Sequence, residues 1–479
     1  MALQLNQELQ NKYPHLEISV LKYSDAMTDN DSKRIDSEFF KKEYLEKILA
    51  LKKLNYQILQ DIANVKGGKR LPLDENFTED KNGVPYIRAE DNKNCFVEFF
   101  NSPKISLSLH NKLKNYQTNY NDILITIVGS IGDVGIVKFQ LDKCNLTENC
   151  AKITNLTTLK PEVLFLFLLS KFGNLQISRE CVGTAQPKLA LERIRKFLIP
   201  LFPLEFQQQI EQMVRESHEC LEQSKGLYCE AEVLLYRELG LDPENPLASI
   251  EPHSGSLNIS VRPLSQSLNA TGRLDSEYYQ QKYDEIEKVI KKQKFAKLSD
   301  LVDMQKSIEP GSEAYQENGI PFIRVSNFNK FGISDTDIFL DFAEFSQTIK
   351  PKKETILLSK DGSIGIAYCV KDDGNFITSS ALLHLNIKRE KQREILPEYL
   401  TLILNSILVK LQSERDSGGS IIAHWRISEI EQILIPILDI SIQEKIENLI
   451  KQSFTLRKKA TELLQSAKNQ VETAIIQAA

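Results

Sequence analysis

The chain has 479 residues, 41% of them apolar and 26% charged, enough for two globular domains with connecting segments. A formal net charge of -5 and a pI near 5.9 argue against a protein that coats nucleic acid over its whole surface, yet they leave room for a reader with one basic face. The longest apolar run, VLFLFLL at 163–169, falls far short of the ~20 residues of a membrane span, and the polar start MALQLNQELQNKY lacks a signal-peptide layout; a cytoplasmic protein without membrane contact is expected. Seven scattered cysteines with no C-x-x-C pair predict reduced thiols, not a disulfide framework or zinc site, and no H-E-x-x-H occurs.

In chain order, ISVLKYS at 18–24 reads as a leading strand. Asp36-Ser37-Glu38 then marks a helix start, with a capping carboxylate and an acid in the first turn. Phe40 and Tyr44 behind it stand at i,i+4, which predicts one shared face. Short apolar and β-branched runs follow, VPYIRAED at 84–91 and DILITIV at 122–128, and predict strands. Gly129-Ser130-Ile131-Gly132 comes next, flanked by β runs on both sides. A helix is predicted from Pro161, an N1 proline, followed by a polar Gly-containing loop and a strand ending in Ile199-Pro200. The segment 204–241 has few breakers, with apolar residues at Phe206, Ile210, Met213, Val214, Leu221, Tyr228, Ala231, Leu234 and Leu235. It predicts a helix about 45–50 Å long.

The same series then recurs. RIDSEFFKKEY at 34–44 returns as RLDSEYYQQKY at 273–283, and GVPYIR at 83–88 as GIPFIR at 319–324. Gly129-Ser130-Ile131-Gly132 returns as Gly362-Ser363-Ile364-Gly365, Pro161-Glu162 as Pro397-Glu398, and Leu198-Ile199-Pro200 as Leu434-Ile435-Pro436. The leading ISVLKYS has its counterpart in ISVRPLS at 259–265, and ETILLS and SALLHLNI predict strands of the second copy. Landmarks in one order at nearly constant spacing indicate a duplicated domain. A second long amphipathic segment, 441–475, carries Ile442, Ile446, Leu449, Ile450, Phe454, Leu463, Leu464, Ala467 and Val471. One apolar stripe per helix calls for a partner stripe.

The predicted organisation is therefore a domain over 1–203, a long helix over 204–241, a turn-rich linker over 242–256, a second domain over 257–440 and a second long helix over 441–479. The fold class is α+β, with two duplicated domains rich in short strands joined by two long antiparallel helices that form a coiled-coil stalk.

No catalytic signature survives inspection. ANVKGGKR at 63–70 has Ala63 where a phosphate-binding loop needs its first glycine and Arg70 where it needs Ser or Thr. No G-x-G-x-x-G follows a strand, and no Asn/Asp-Pro-Pro-aromatic motif for holding a flipped base occurs. The Gly-Ser-Ile-Gly segments are not followed by a helix whose N-terminus could take phosphate. They read as strand-to-strand turns needing positive φ, or as turns whose backbone N–H groups approach a nucleic-acid phosphate.

With the repeat and the long helices in view, the chain resembles the DNA-specificity subunits of type I restriction-modification systems. The carriers are RIDSEFF and RLDSEYY, YIRAEDN and FIRVSNF, DILITIVGSIG and TILLSKDGSIG, and above all VGTAQPKLALERIRKFLIPLFPLEFQQQIEQMV at 182–214. The resemblance covers essentially the whole chain. It implies two target-recognition domains, each reading one half of a split, asymmetric site in double-stranded DNA, with the stalk as a ruler. It also implies two copies of a methyltransferase subunit and restriction/translocase subunits as partners. S-adenosylmethionine, ATP and Mg would belong to those partners, with no cofactor bound by this non-catalytic chain. The second half departs from the pattern: GTAQPKL becomes GGSIIAHW at 418–425 and KGGKRLP becomes QKSIEPG at 305–311, as two different half-sites require.

Candidate DNA contacts follow. Lys66, Lys69 and Arg70 cluster in a Gly-rich loop, with cations suited to phosphates or guanine edges. Gln186 and Lys188, beside Gly183 and Thr184, offer an amide for adenine and a cation for phosphate; Ser420, His424 and Arg426 are their counterparts, with Lys306 matching the first loop. Ser130 and Ser363 sit in the two turns. Arg88 and Arg324 hold matching places, where an internal salt bridge and DNA contact are both open. Trp425 reads as a packed anchor rather than a stacking platform. Two other classes stay in play: a self-sufficient methyltransferase or nuclease with degenerate motifs, and a protein-binding scaffold.

Overall fold

The computed structural model describes residues 2–28, 30, 33–93, 95–99, 102–138, 143–183, 187–250, 259–267, 272–417 and 424–478. The chain divides into two compact units, residues 1–221 with 458–479 and residues 222–457. The division falls inside the long helices Leu204–Glu238 and Ile440–Ala478, so each unit holds part of both.

In the first unit a four-stranded antiparallel sheet runs in the order Asn64–Gly67, Cys150–Thr154, Ile123–Thr126, Val134–Ile136. Every residue of Ile123–Thr126 and Cys150–Thr154 is buried, so these strands show no apolar–polar alternation. The helix Pro161–Leu169 packs on this core with Val163 to Leu168 buried all round. That accounts for the longest apolar run of the sequence. A smaller sheet orders Lys104–Ile105, Val84–Ile87 and Asn145–Leu146, the last two in parallel. Tyr56–Ile58 pairs with Leu198–Pro200.

The second unit repeats the plan. Its four-stranded sheet orders Val302–Lys306, Leu382–Ile387, Ile356–Ser359 and Ala367–Cys369. The smaller sheet orders Phe339–Leu340, Ile320–Ile323 and Ile377–Thr378, and Phe295–Lys297 pairs with Leu434–Pro436. A hairpin, Phe328–Asn329 with Gly332–Ile333, is added in this unit. Trp425, 1% exposed, lies in its core as a packed anchor.

The two long helices pack antiparallel within each unit. In the first, Ile210 and Val214 share a core with Ala467, Val471 and Ile475, and the Ser217 hydroxyl donates to the Ala460 carbonyl (2.8 Å). In the second, Ile446 and Ile450 share a core with Tyr228, Ala231 and Leu235, and the Ser224 and Ser453 hydroxyls meet at 3.0 Å. Small residues at Ser217, Ser224, Ser453 and Ala460 let the backbones approach closely, and each buried hydroxyl there has a partner. Among the described residues no helix is long and apolar enough to cross a membrane.

Two sequence expectations need correction, the leading strands and the shared aromatic faces, while Asp36 and Asp275 do cap helix starts. The leading segments are not strands: residues 18–22 and 259–263 have no regular structure, and Ile259 and Val261 are 59% and 89% exposed, without a pairing strand to hold them. The Asp-Ser-Glu starts open short 3-10 turns, Ser37–Phe40 and Ser276–Tyr279, capped by Asp36 and Asp275. Extended backbone at Lys41 and Gln280 then interrupts each one before the α-helices Lys42–Lys53 and Gln281–Lys291. Phe40/Tyr44 and Tyr279/Tyr283 consequently do not share a helix face, and the buried ring of the first motif is Phe39, 1% exposed.

Candidate nucleic-acid interface

Each Gly-Ser-Ile-Gly segment closes a β-hairpin of its four-stranded sheet, between Ile123–Thr126 and Val134–Ile136 and between Ile356–Ser359 and Ala367–Cys369. All four glycines have positive φ, 86° and 94° at Gly129 and Gly132, 73° and 80° at Gly362 and Gly365. That conformation strains other L-residues and explains the glycines. The turns close internally: Gly132 N donates to Thr126 O (3.0 Å) and Gly365 N to Ser359 O (2.9 Å). Ser130 and Ser363 are left at the exposed tips.

Beside each turn runs the chain that leaves the following helix. In the first unit Lys188 bridges both Val182 and Val128, the residue before Gly129. In the second unit His424 bridges Asp361, the residue before Gly362, and its Nδ1 lies 2.8 Å from the Asp361 carboxylate. Burial alone would raise the Asp361 pKa, but hydrogen bonds from Lys360 and His424 outweigh it and hold the carboxyl below its ordinary range. One backbone frame thus carries a Val–Lys pair in one unit and an Asp–His pair in the other.

A shallow groove of about 500 Å³ in the first unit brings Arg70, Arg88 and Ser130 together with Tyr86, Thr147 and Glu148. Gly68 lets the loop approach Thr147 closely, since a Cβ there would stand 1.9 Å from the Thr147 carbonyl oxygen. The Tyr86 hydroxyl donates to the Lys69 carbonyl (2.5 Å), and burial pushes its pKa up, so it remains a donor. Acids accompany the cations. Glu148 lies 3.7 Å from Arg70, while Arg88 is paired with Glu90 and with Asp91 at 3.4 Å. The salt bridge considered for Arg88 is therefore present.

The second unit is built differently at the matching place. Ser326 and Asn327 stand where Glu90 and Asp91 do, and Ser380 occupies the position of Glu148 after the paired strand. Among the described residues no carboxylate pairs with Arg324, and its buried Nε has no partner. Lys306, exposed, ends the strand Val302–Lys306. Arg426 is exposed, with its backbone N–H capped by Glu429 (3.0 Å).

Lys66, expected in the Gly-rich loop, does not belong to it. It lies in the strand Asn64–Gly67 opposite Lys152 and does not line the groove. Lys69 and Arg70 are in the loop, both exposed. Thr184, Gln186 and Ser420 lie outside the described residues. Sequence reasoning passed over Glu90, Asp91, Glu148 and Asp361. Asp361 was legible as one of the two letters, with Lys360, that separate KDGSIG from IVGSIG. Among the described residues, no cluster of three His, Cys, Asp or Glu side chains could hold a metal ion.

Two copies of one α+β frame, each presenting a turn and a loop root at an open edge, define a duplicated binding module. The family model described as "Type I restriction modification DNA specificity domain" matches residues 53–228 and again 290–473, and the chain belongs to that family. It is similar to the type I restriction enzyme EcoBI specificity subunit of Escherichia coli, 28% identical over 171 residues that span 36% of this chain and 36% of that one. Among solved structures it is similar to the type I restriction-modification S subunit from M. genitalium (15% identity, 89% and 96% of the two chains, TM-score 0.40). The HsdS subunit from Thermoanaerobacter tengcongensis is another (16% identity, 89% and 96%, TM-score 0.28).

Proposed function

We propose that this chain is the DNA-specificity subunit of a type I restriction-modification complex, a non-catalytic reader of a bipartite, asymmetric site. The first unit would read one half-site with Arg70, Ser130 and Lys188, the second the other with Lys306, Arg324, Ser363, His424 and Arg426. Lys66, Lys69 and Arg88 would serve the DNA backbone around the first half-site; Thr184 and Gln186 would add contacts to that half-site and Ser420 to the second. The observation that carries this reading is the duplicated edge on which different side chains stand on one frame. Val128/Lys188 in one unit corresponds to Asp361/His424 in the other, and the Arg88 acids become Ser326 and Asn327 beside Arg324. Identical frames with different donors and acceptors are what two unlike half-sites need. The long helices would set the spacer, and two methyltransferase subunits, bringing S-adenosylmethionine, would assemble with the chain. Restriction/translocase subunits, with ATP and Mg, would complete the complex.

Hydroxyl-radical footprinting of the chain with its methyltransferase subunit tests this. The expected result is protection of two short duplex segments about one helical turn apart, weakening steeply with salt. Absence of DNA binding with that partner present would overturn the reading and favour a protein-binding scaffold.

A further inference from the structure

The repeated Arg-x-Asp of RIDSEFF and RLDSEYY has a specific geometry in both units. Arg34 holds Asp36 through two bonds, Nε at 2.7 Å and Nη2 at 2.6 Å, while Nη1 donates to the carbonyls of Arg179 (3.0 Å) and Cys181 (2.9 Å). Arg273 holds Asp275 through Nε at 2.8 Å and Nη2 at 2.7 Å, and its Nη1 donates to the carbonyls of Arg415 and Asp416, both at 3.2 Å. Each Asp in turn caps its 3-10 turn, at Phe39 N and Tyr278 N. The ring so fixed is stacked between two guanidinium groups: Phe39 has Arg34 at 5.0 Å and Arg179 at 3.9 Å, Tyr278 has Arg273 at 4.7 Å and Arg415 at 5.4 Å. The bonds from Arg34 and Arg273 hold both carboxyls below their ordinary pKa range.

The carbonyls taken by the arginines lie at the C-terminal ends of the helices Lys171–Glu180, which Cys181 caps, and Ile407–Asp416. A helix end leaves such groups without intrahelical partners, and a cation is favourable there. Directly beyond those carbonyls the chain runs to Lys188 and to His424, the residues that bridge the two Gly-Ser-Ile-Gly turns. The described residues on either side are thus held, Cys181 and Asp416 by the Arg-x-Asp clamp and Lys188 and His424 by the turn. We propose that Arg34–Asp36 and Arg273–Asp275 are positioning residues for base discrimination, acting on the chain that presents Lys188 in the first unit and His424 in the second, and each on one half-site only. This rests on the half-site reading above. Fork geometry matters to it, because the guanidinium satisfies a carboxylate and two carbonyls at once, which a lysine cannot do. Neither pair is offered to phosphate, so overall affinity is not where the clamp acts.

The test uses the full chain with its methyltransferase subunit on duplexes carrying single-base substitutions in either half-site. Arg34→Ala should lose about tenfold or more of the discrimination at the first half-site and none at the second. Arg273→Ala should show the mirror image, with the salt dependence of binding to unrelated DNA unchanged in both. Arg34→Lys and Arg273→Lys, which keep the charge, should behave like the alanine variants and serve where those fail to fold. Equal loss at both half-sites, or unchanged discrimination in folded variants, would overturn the proposal while leaving a selective wild type intact. A wild-type complex with no half-site preference would sink the recognition reading as well.

Discussion

Lys138→Met should destabilise the first unit by about 3–5 kcal/mol. Lys138 and Glu162 form an ion pair with side chains only 6% and 4% exposed, and Lys138 Nζ also donates to Asn121 Oδ1 (2.6 Å). Glu162 stands in the first turn of the buried helix Pro161–Leu169, where the helix end favours an anion. Removing the cation leaves a carboxylate buried without its partner, and that desolvation cost dominates the loss. Lys138→Met with Glu162→Leu should recover most of it, because an apolar pair has no charge to strand. The second unit carries the same device in Lys371 and Glu398, but Lys371 is 27% exposed and its Nζ lies 3.8 Å from the Phe454 ring centroid. Lys371→Met should therefore cost less. Urea unfolding followed by hydrogen exchange separates the two units, which need not melt in a single transition. Equal losses in the single and double variants would contradict the account.

Arg324→Ala is expected to relax recognition at one position of the second half-site by about 10–100-fold, a loss of about 1–3 kcal/mol. Its counterpart Arg88→Ala should do much less. The two arginines hold the same position, directly after a strand and at the start of a 3-10 turn, yet Arg88 is committed to Glu90 and Asp91, whereas no carboxylate among the described residues engages Arg324 and its buried Nε lacks a partner. A half-buried guanidinium with no acid engaged is poised for an acceptor supplied from outside, and a guanine edge offers two. Replacing Ser326 and Asn327 by Glu and Asp should bring Arg324 to the state of Arg88 and weaken the second half-site without touching the arginine. Binding assays on substituted duplexes read both effects. Equal sensitivity at Arg88 and Arg324 would remove the basis for this assignment.

The architecture was legible because duplication prints every landmark twice. Pro161 and Pro397 open helices, Ile199-Pro200 and Ile435-Pro436 end strands, and the two apolar stripes mark the long helices. The leading segments misled because ISV has β propensity, whereas a strand needs a partner edge that neither segment finds. The paired aromatics misled because spacing assumes one continuous helix, and Lys41 and Gln280 interrupt it. Of the interface, the glycines and exposed cations could be read from local chemistry. The acid that engages Arg70, and the approach of Lys188 and His424 to the turns, arise from neighbours far apart in sequence, whereas the acids of Arg88 stand only two and three residues beyond it. Arg34 and Arg273 were visible as a repeated motif, but the helix-end carbonyls they take lie some 140 residues further along each half.

Methylome sequencing of a host that carries the gene and of one that lacks it tests the central claim most directly. The account predicts an adenine-methylated motif of two short, unlike segments separated by a fixed unspecified spacer, present only with the gene. An unchanged methylome, or one in which a single uninterrupted motif disappears, would contradict it.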